Sequence, residues 1–403
     1  MLWITFTHLG EYWDDNSWRV IWRTVFVTMD WVGPTIFISL SVIGTTISIM
    51  KRKCLGKTKG MMIPALKKSS YLFFIGTVLN LMIELLYGHG LGAWLFIGMN
   101  MITAVAFAQL LTYGLVQLKT MHKLVLLLML IIIFPLLFNY SLTGIDYDGN
   151  GEISPTMSNL TSLPMILYYV LFHMASMIST FSWVICAVLT SLVFQDFIKF
   201  HVKAAFLQGT SEMVDKDLHG WRKYYWRRLV LLGIICILFT ILYGGFMTFP
   251  GISFTRGVYE DLSRPGGLFQ LLNLDGVPLF FYRHTPHYVL YNFGIFSIAF
   301  GLFYYIKDFK NKRFFGWDLT SKFGRYSFPI FIYSHGFALI PLRLSFLPFM
   351  VIFIPLLVGL LYFVRYWDKR WDGKLSLEWA LGKYLYLLAR INSSINKSKK
   401  QNK

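Results

Sequence analysis

The sequence predicts an all-α fold, a polytopic bundle of about nine to ten membrane-spanning helices, and three observations lead there. Of its 403 residues 56% are apolar and 14% charged, with a mean hydropathy of +0.54, too little polar surface to wrap one or two soluble cores in water. The apolar residues gather in runs long enough to cross a hydrocarbon core about 30 Å thick. In lipid every backbone N–H and C=O must pair within its own segment, so runs of that length are read as helices.

Taken in order, Met1–Thr7 reads as the last two turns of an apolar helix, followed by His8, the stretch Glu11-Tyr12-Trp13-Asp14-Asp15, and Trp18. Either this segment lies at the outer interface, where tryptophan and tyrosine settle, or it closes a tenth helix. No short apolar stretch with a small-residue cleavage site opens the chain, so the first full span is expected to act as the insertion signal. Spans are then read at Trp31–Met50, Ser69–Tyr87, Leu91–Leu115, His122–Phe138, Leu163–Phe194, Arg228–Phe249, His287–Ile306, Phe323–Leu344 and Ser345–Trp367. Three regions result: an outer-face N-terminal segment 1–30, a transmembrane domain 31–367, and a basic tail 368–403. In the tail, Leu, Trp and Tyr of Ser376–Ile391 recur at helical spacing, as in a helix lying on a membrane surface.

Loop charge gives the orientation. Lysine and arginine crowd into 51–68, 119–123, 199–228, 307–322 and the tail, whereas Asn139–Ser162 has no basic residue. With nine spans this places the N-terminus outside and the C-terminus in the cytoplasm, as in a multi-pass plasma-membrane protein. The formal net charge of +18 is then cytoplasmic bias and not a nucleic-acid footprint. Cys54, Cys186 and Cys236 fall in a cytoplasmic loop or in spans, so no outer disulfide framework is available. P-loop, dinucleotide, nucleophile-elbow and zinc-protease motifs are missing, which argues against ATP-driven transport, redox chemistry and hydrolysis.

His335 is the sharpest polar feature. It stands ten residues beyond Arg325, about 15 Å along a helix and near mid-membrane, where an ionisable side chain costs about 2.5–3.5 kcal/mol when charged. Ser327 and Ser334, and Tyr326 and Tyr333, recur at sevens on neighbouring stripes, so this helix faces a cavity or other helices. Packing by a hydrogen-bonded histidine is the plain alternative. Arg325 and Lys322 sit where the span begins, as phosphate ligands or as ordinary positive-inside anchors.

Asp146, Asp148, Asn150 and Glu152, with Gly151, match the first nine positions of an EF-hand loop, although position twelve is Met157 and no flanking EF helices are read. The expectation is a weak structural calcium site or a plain acidic turn. The outer loop Pro250–Pro286 and the residue after it carry arginines, carboxylates, His284 and His287, chemistry suited to holding a sugar-like acceptor; Pro286 and the lack of a third ligand argue against a metal there.

Three stretches carry a resemblance: His8–Trp13 (HLGEYW), Asp30–Gly44 (DWVGPTIFISLSVIG) with its following basic loop, and Gly324–Gly336 (GRYSFPIFIYSHG). Together they resemble the heparan-α-glucosaminide N-acetyltransferase family and its prokaryotic relatives, and more widely the acyltransferase-3 group. The acidic residue and Arg-Gly pair that open the family's first helix have no counterpart here. The resemblance implies an integral membrane acyltransferase that moves an acetyl or other acyl group from acyl-CoA to a carbohydrate, glycolipid or small amine at the outer face. His8 would be the base, Asp30 its supporting carboxylate, His335 a cavity residue, and Arg325 and Lys322 ligands of the donor. Imidazole, with a pKa near 6.5, suits the removal of a proton from an attacking nucleophile. The rival reading is a secondary transporter or lipid flippase with His335, Glu84 and His173 as an intramembrane path; no inverted repeat with broken helices is visible. The oligomeric state, a homo-oligomer included, stays open.

Overall fold

A computed structural model describes residues 5–6, 9–10, 13–28, 33–56, 62–87, 101–142, 163–167, 171, 180–207, 212–245, 278–281, 285–310, 312, 330, 337, 340, 342–371 and 383. Among these residues there is no named strand, only one isolated bridge between Asp14 and Leu344. The fold is all-α. Six of the described helices are long and apolar enough to cross a membrane, so this is a multi-pass membrane protein.

Contacts divide the chain into two compact units: residues 27–312, the central unit, and residues 1–26 with 313–403, the terminal unit. The central unit holds α2 (Pro34–Cys54), α3 (Met62–Tyr87), α4 (Met101–Leu115), α5 (Thr120–Leu142), the short α6 (Leu163–Leu167), α7 (Thr180–Leu207), α8 (Glu212–Thr240) and α9 (Pro286–Tyr304). The terminal unit holds α10 (Phe346–Trp371) and most of α1 (Arg19–Thr28).

Local chemistry sets several of these boundaries. Pro34 opens α2, where its missing N–H costs no hydrogen bond. That helix closes where Gly56, at φ +68°, donates its N–H to the Lys53 carbonyl, a left-handed stop that a side chain would strain. In α9 the Thr285 hydroxyl caps the helix by accepting the Tyr288 N–H at 3.1 Å, and Pro286 follows at the first helical position. One expectation is refined. The basic stretch 199–228, read as a loop, is helical up to Leu207 and again from Glu212, because no proline or glycine interrupts α7 before Gly209 and charged residues tolerate a helix that projects beyond lipid.

α2 packs on α7 and α4, α3 on α4, α5 on α7, and α8 on α9. The core between them contains Ile38, Val42, Ala104, Ala108, Ile185, Ala187, Val188 and Phe293. Other faces carry bare apolar side chains: Leu136 is 69% exposed, Leu242 85% and Leu347 73%. Surfaces of that kind are unfavourable in water and natural against acyl chains.

α8 and α9 approach through glycine. A Cβ on Gly233 would lie 2.5 Å from the Gly294 carbonyl oxygen, and one on Gly294 would lie 2.7 Å from the Gly233 carbonyl oxygen. Small residues let two backbones close in this way where no hydrophobic effect drives helices together.

Candidate functional site

In the terminal unit, described residues from the two ends of the chain come together. Residues 13–15 run beside 340–344: the Leu344 N–H donates to the Trp13 carbonyl at 2.7 Å, and the Asp15 N–H donates to the Leu344 carbonyl at 3.3 Å. Two indoles extend this seam. Trp13 Nε1 donates to the Ile340 carbonyl and Trp18 Nε1 to the Leu344 carbonyl, each at 3.0 Å. Arg343 adds a hydrogen bond to the Asp14 carbonyl at 3.2 Å. Both indoles are buried at 2% exposure, so their N–H groups need these acceptors.

Beneath the seam the rings interlock. Trp18 lies 4.6 Å from Phe349 between centroids and 5.5 Å from Phe346, while Phe6 meets Phe349 and Phe353 edge-on at 5.6 and 5.4 Å. Leu9 is fully buried in the same cluster, and Phe337 packs against it. The turn before α1 is built by its own carboxylates: Asp14 Oδ1 accepts the Asn16 N–H and Asp15 Oδ1 the Ser17 N–H, both at 2.9 Å, with Asn16 at φ +73°. Burial pushes the Asp14 carboxyl above its ordinary range, against the pull of the Asn16 and Trp18 amides; exposed Asp15 is held below its own by the hydrogen bonds of Ser17.

The proposed reacting groups themselves, His8, Asp30 and His335, lie outside the described residues, as do Arg325, Lys322, His173 and the loop with Asp146, Asp148, Asn150 and Glu152. Among the described residues no three His, Cys, Asp or Glu side chains stand close enough to hold a metal ion. His287, from the outer-loop reading, stacks on Tyr243 with its Nε2 3.0 Å from the Tyr243 carbonyl.

The central unit holds polar groups that the sequence reading passed over. Lys123, read as part of a basic loop, is 2% exposed; its Nζ donates to Ser191 Oγ at 2.9 Å and to Gln195 Oε1 on α7. Gln195 Nε2 in turn donates to the Val116 carbonyl at 3.4 Å. The available signal was Ser191 and Gln195, four apart on one face of an otherwise apolar helix. Nearby, Tyr304 and His201 Nε2 share a 3.0 Å hydrogen bond, and Phe197 stacks on Tyr225 at 4.2 Å. Deeper, Ser39 Oγ and Thr190 Oγ1 share a hydrogen bond at 2.9 Å and join α2 to α7. These groups satisfy one another within the protein, as polar side chains in lipid must.

No family model, curated protein or solved structure matches the chain.

Proposed function

We propose that this protein is an integral membrane acyltransferase that transfers an acyl group, acetyl foremost, from acyl-CoA to a sugar- or amine-type acceptor at the outer face of the plasma membrane. Its C-terminus and the donor are cytoplasmic. One observation carries the reading. Phe6 and Leu9, which flank His8 in sequence, and Phe337, two residues beyond His335, belong to one hydrophobic cluster although they come from opposite ends of the chain. Leu9 and Trp13 of the first motif stretch and Phe337, the residue that follows the second, thus share one cluster, which supports a common reaction centre.

In the proposed reaction the acceptor oxygen or nitrogen attacks the thioester carbonyl while His8 takes its proton. The C–S bond breaks, and the coenzyme A thiolate leaves and is protonated to the free thiol. Asp30 orients the imidazole, His335 lines the cavity, and Arg325 with Lys322 pairs with donor phosphates, for which a planar guanidinium is well matched.

The test is acetyl-CoA titrated into the detergent-purified full chain, followed by thermal shift and then by acyl transfer to a panel of sugars and amines. Saturable stabilisation is expected, because a ligand bound only by the folded state raises its melting temperature. His8→Ala is expected to keep that stabilisation and lose transfer. A folded parent protein that shows no shift at millimolar acetyl-CoA overturns the reading, and undiminished turnover in His8→Ala removes that residue from the site.

A further inference from the structure

A second surface, independent of the acyltransferase reading, lies in the central unit at the end of the α8–α9 pair where the candidate span Tyr224–Tyr243 begins and Pro286–Phe309 stops. The helices are close there: a Cβ on Gly301 would lie 3.2 Å from the Trp226 carbonyl oxygen. Four side chains form one connected group across this end. Trp226 and Tyr305 lie 4.6 Å apart between centroids, the Arg227 guanidinium stands 5.6 Å from the Trp226 centroid, and Lys310 Nζ stands 5.8 Å from that of Tyr305. Lys310 reaches its ring through the backbone. A π-helical turn, Tyr305–Phe309, follows α9, and the Lys310 N–H donates to the Tyr305 carbonyl at 2.9 Å. In an α-helix residue i+5 stands about 140° round from residue i, whereas the wider i→i+5 turn brings it back over residue i.

Three features separate this group from ordinary interfacial anchors. Arg227 and Lys310 are exposed, and among the described residues neither side chain has a hydrogen bond or ion pair. A guanidinium over a ring keeps its N–H donors, so Arg227 offers a forked cation that has no acceptor. Trp226 is placed by its face, because its Nε1 is buried without a partner, where an interfacial indole ordinarily turns that N–H toward the wet side. Leu231 and Leu238, 59% and 51% exposed, follow Arg227 at i+4 and i+11 on one face of α8, so the cation heads an exposed apolar stripe.

We infer that this end of α8 and α9 is a binding site for an anionic phospholipid of the adjoining leaflet, with its phosphate at Arg227 and Lys310 and an acyl chain along Leu231 and Leu238. Charge complementarity names the occupant. Two cations without an anion stand at the head of an apolar stripe, and a phospholipid is the anion that carries its own acyl chain. The guanidinium fork matches two phosphate oxygens, and the ammonium adds a second charge. Basic pockets between transmembrane helices recognise lipid headgroups by this chemistry.

The experiment uses the full chain in detergent, titrated with phosphatidylglycerol, with phosphatidylcholine of the same chains, and with inorganic phosphate, and read by thermal shift and by lipid retention in native mass spectrometry. Phosphatidylglycerol is expected to stabilise saturably and to remain bound, whereas the other two do neither. In Arg227→Gln/Lys310→Gln its half-saturating concentration is expected to rise about thirtyfold, as the loss of two cations at about 1 kcal/mol each implies. Both side chains are exposed and make no bond, so the variant is expected to fold; should it fail, the two single variants decide, each with about a fivefold rise. Arg227→Lys/Lys310→Arg is expected to bind nearly as the parent does. Lys51→Gln/Lys53→Gln, which removes two exposed cations from the end of α2, is expected to leave binding unchanged. Equal stabilisation by phosphatidylcholine, an effect reproduced by inorganic phosphate, unchanged binding in the Arg227 and Lys310 variants, or equal weakening by the α2 variant would each overturn the site. So would displacement of phosphatidylglycerol by acetyl-CoA, which would give these cations to the donor's phosphates.

Discussion

In the terminal unit, segments from opposite ends of the chain are joined by large rings: Trp13, Trp18, Phe6, Phe349 and Phe353 fill the space, and two indole N–H groups tie the rings to backbone carbonyls. In the central unit, α8 and α9 are joined by the absence of side chains, with Gly233 and Gly294 set backbone against backbone. The first arrangement tolerates loss poorly and the second tolerates addition poorly. Aromatic truncation removes area and one of the two hydrogen bonds that each buried carbonyl accepts, whereas one methyl group at a glycine crossing forces two helices apart. The two halves of the protein should therefore respond in opposite ways to changes of side-chain size.

The largest effect is expected from Trp18→Ala. It deletes a ring 4.6 Å from Phe349 and the donor to the Leu344 carbonyl, at a cost of about 3–5 kcal/mol, the usual range for truncating a buried large aromatic. Thermal unfolding of the full chain in detergent checks it; a loss under about 1 kcal/mol would show that the rings fill space without holding the unit together. Next comes Gly233→Ala, expected to cost about 1–3 kcal/mol because its new methyl meets the Gly294 carbonyl oxygen and neither backbone can rotate away. The contrast is Gly359→Ala on α10, where nothing among the described residues lies within 4 Å of the added carbon and helix propensity predicts a gain of about 0.5–1 kcal/mol. If both alanines act alike, the close crossing is not what makes Gly233 necessary.

How much of this was legible in the sequence follows from the range of each interaction. Helices announce themselves locally, so the spans that hydropathy gives overlap α2, α5 and α10, and the span from His287 begins one residue into α9. Trp13 and Trp18 were read as interface-seeking, which fits their rings, but nothing local names carbonyls some 326 residues away as their acceptors. Long-range pairing leaves no periodic trace. Lys123 was misjudged for a related reason: a lysine at the head of a span looks like a positive-inside anchor whether it meets water or, as here, Ser191 and Gln195 on another helix. Of the proposed chemistry, the segments could be chosen from their motifs, while the arrangement of their reacting groups depends on tertiary packing that no motif encodes.

The smallest effect separates two neighbouring carboxylates at the edge of the aromatic cluster. Burial raises the Asp14 carboxyl above its ordinary 3.8, so the folded state holds that proton more tightly than the unfolded chain does. Where the folded state binds more protons, stability falls as pH rises; the ionised Asp14 therefore costs stability at neutral pH, and the cost disappears as pH falls below 3.8. Asp14→Asn keeps an oxygen to accept the Asn16 N–H and removes the charge, so it is expected to melt slightly above the parent at pH 7 and level with it in acid. Asp15 has the reverse sign. Hydrogen bonds from Ser17 lower its carboxyl below 3.8, so the stability it contributes is present at neutral pH and lost as pH falls through its folded value. Asp15→Asn is thus expected to melt slightly below the parent at pH 7 and to converge with it in acid. Parallel melting curves for the two variants across pH 3 to 7 would mean that burial does not distinguish these carboxylates, and that the turn into α1 is held by the ring cluster alone.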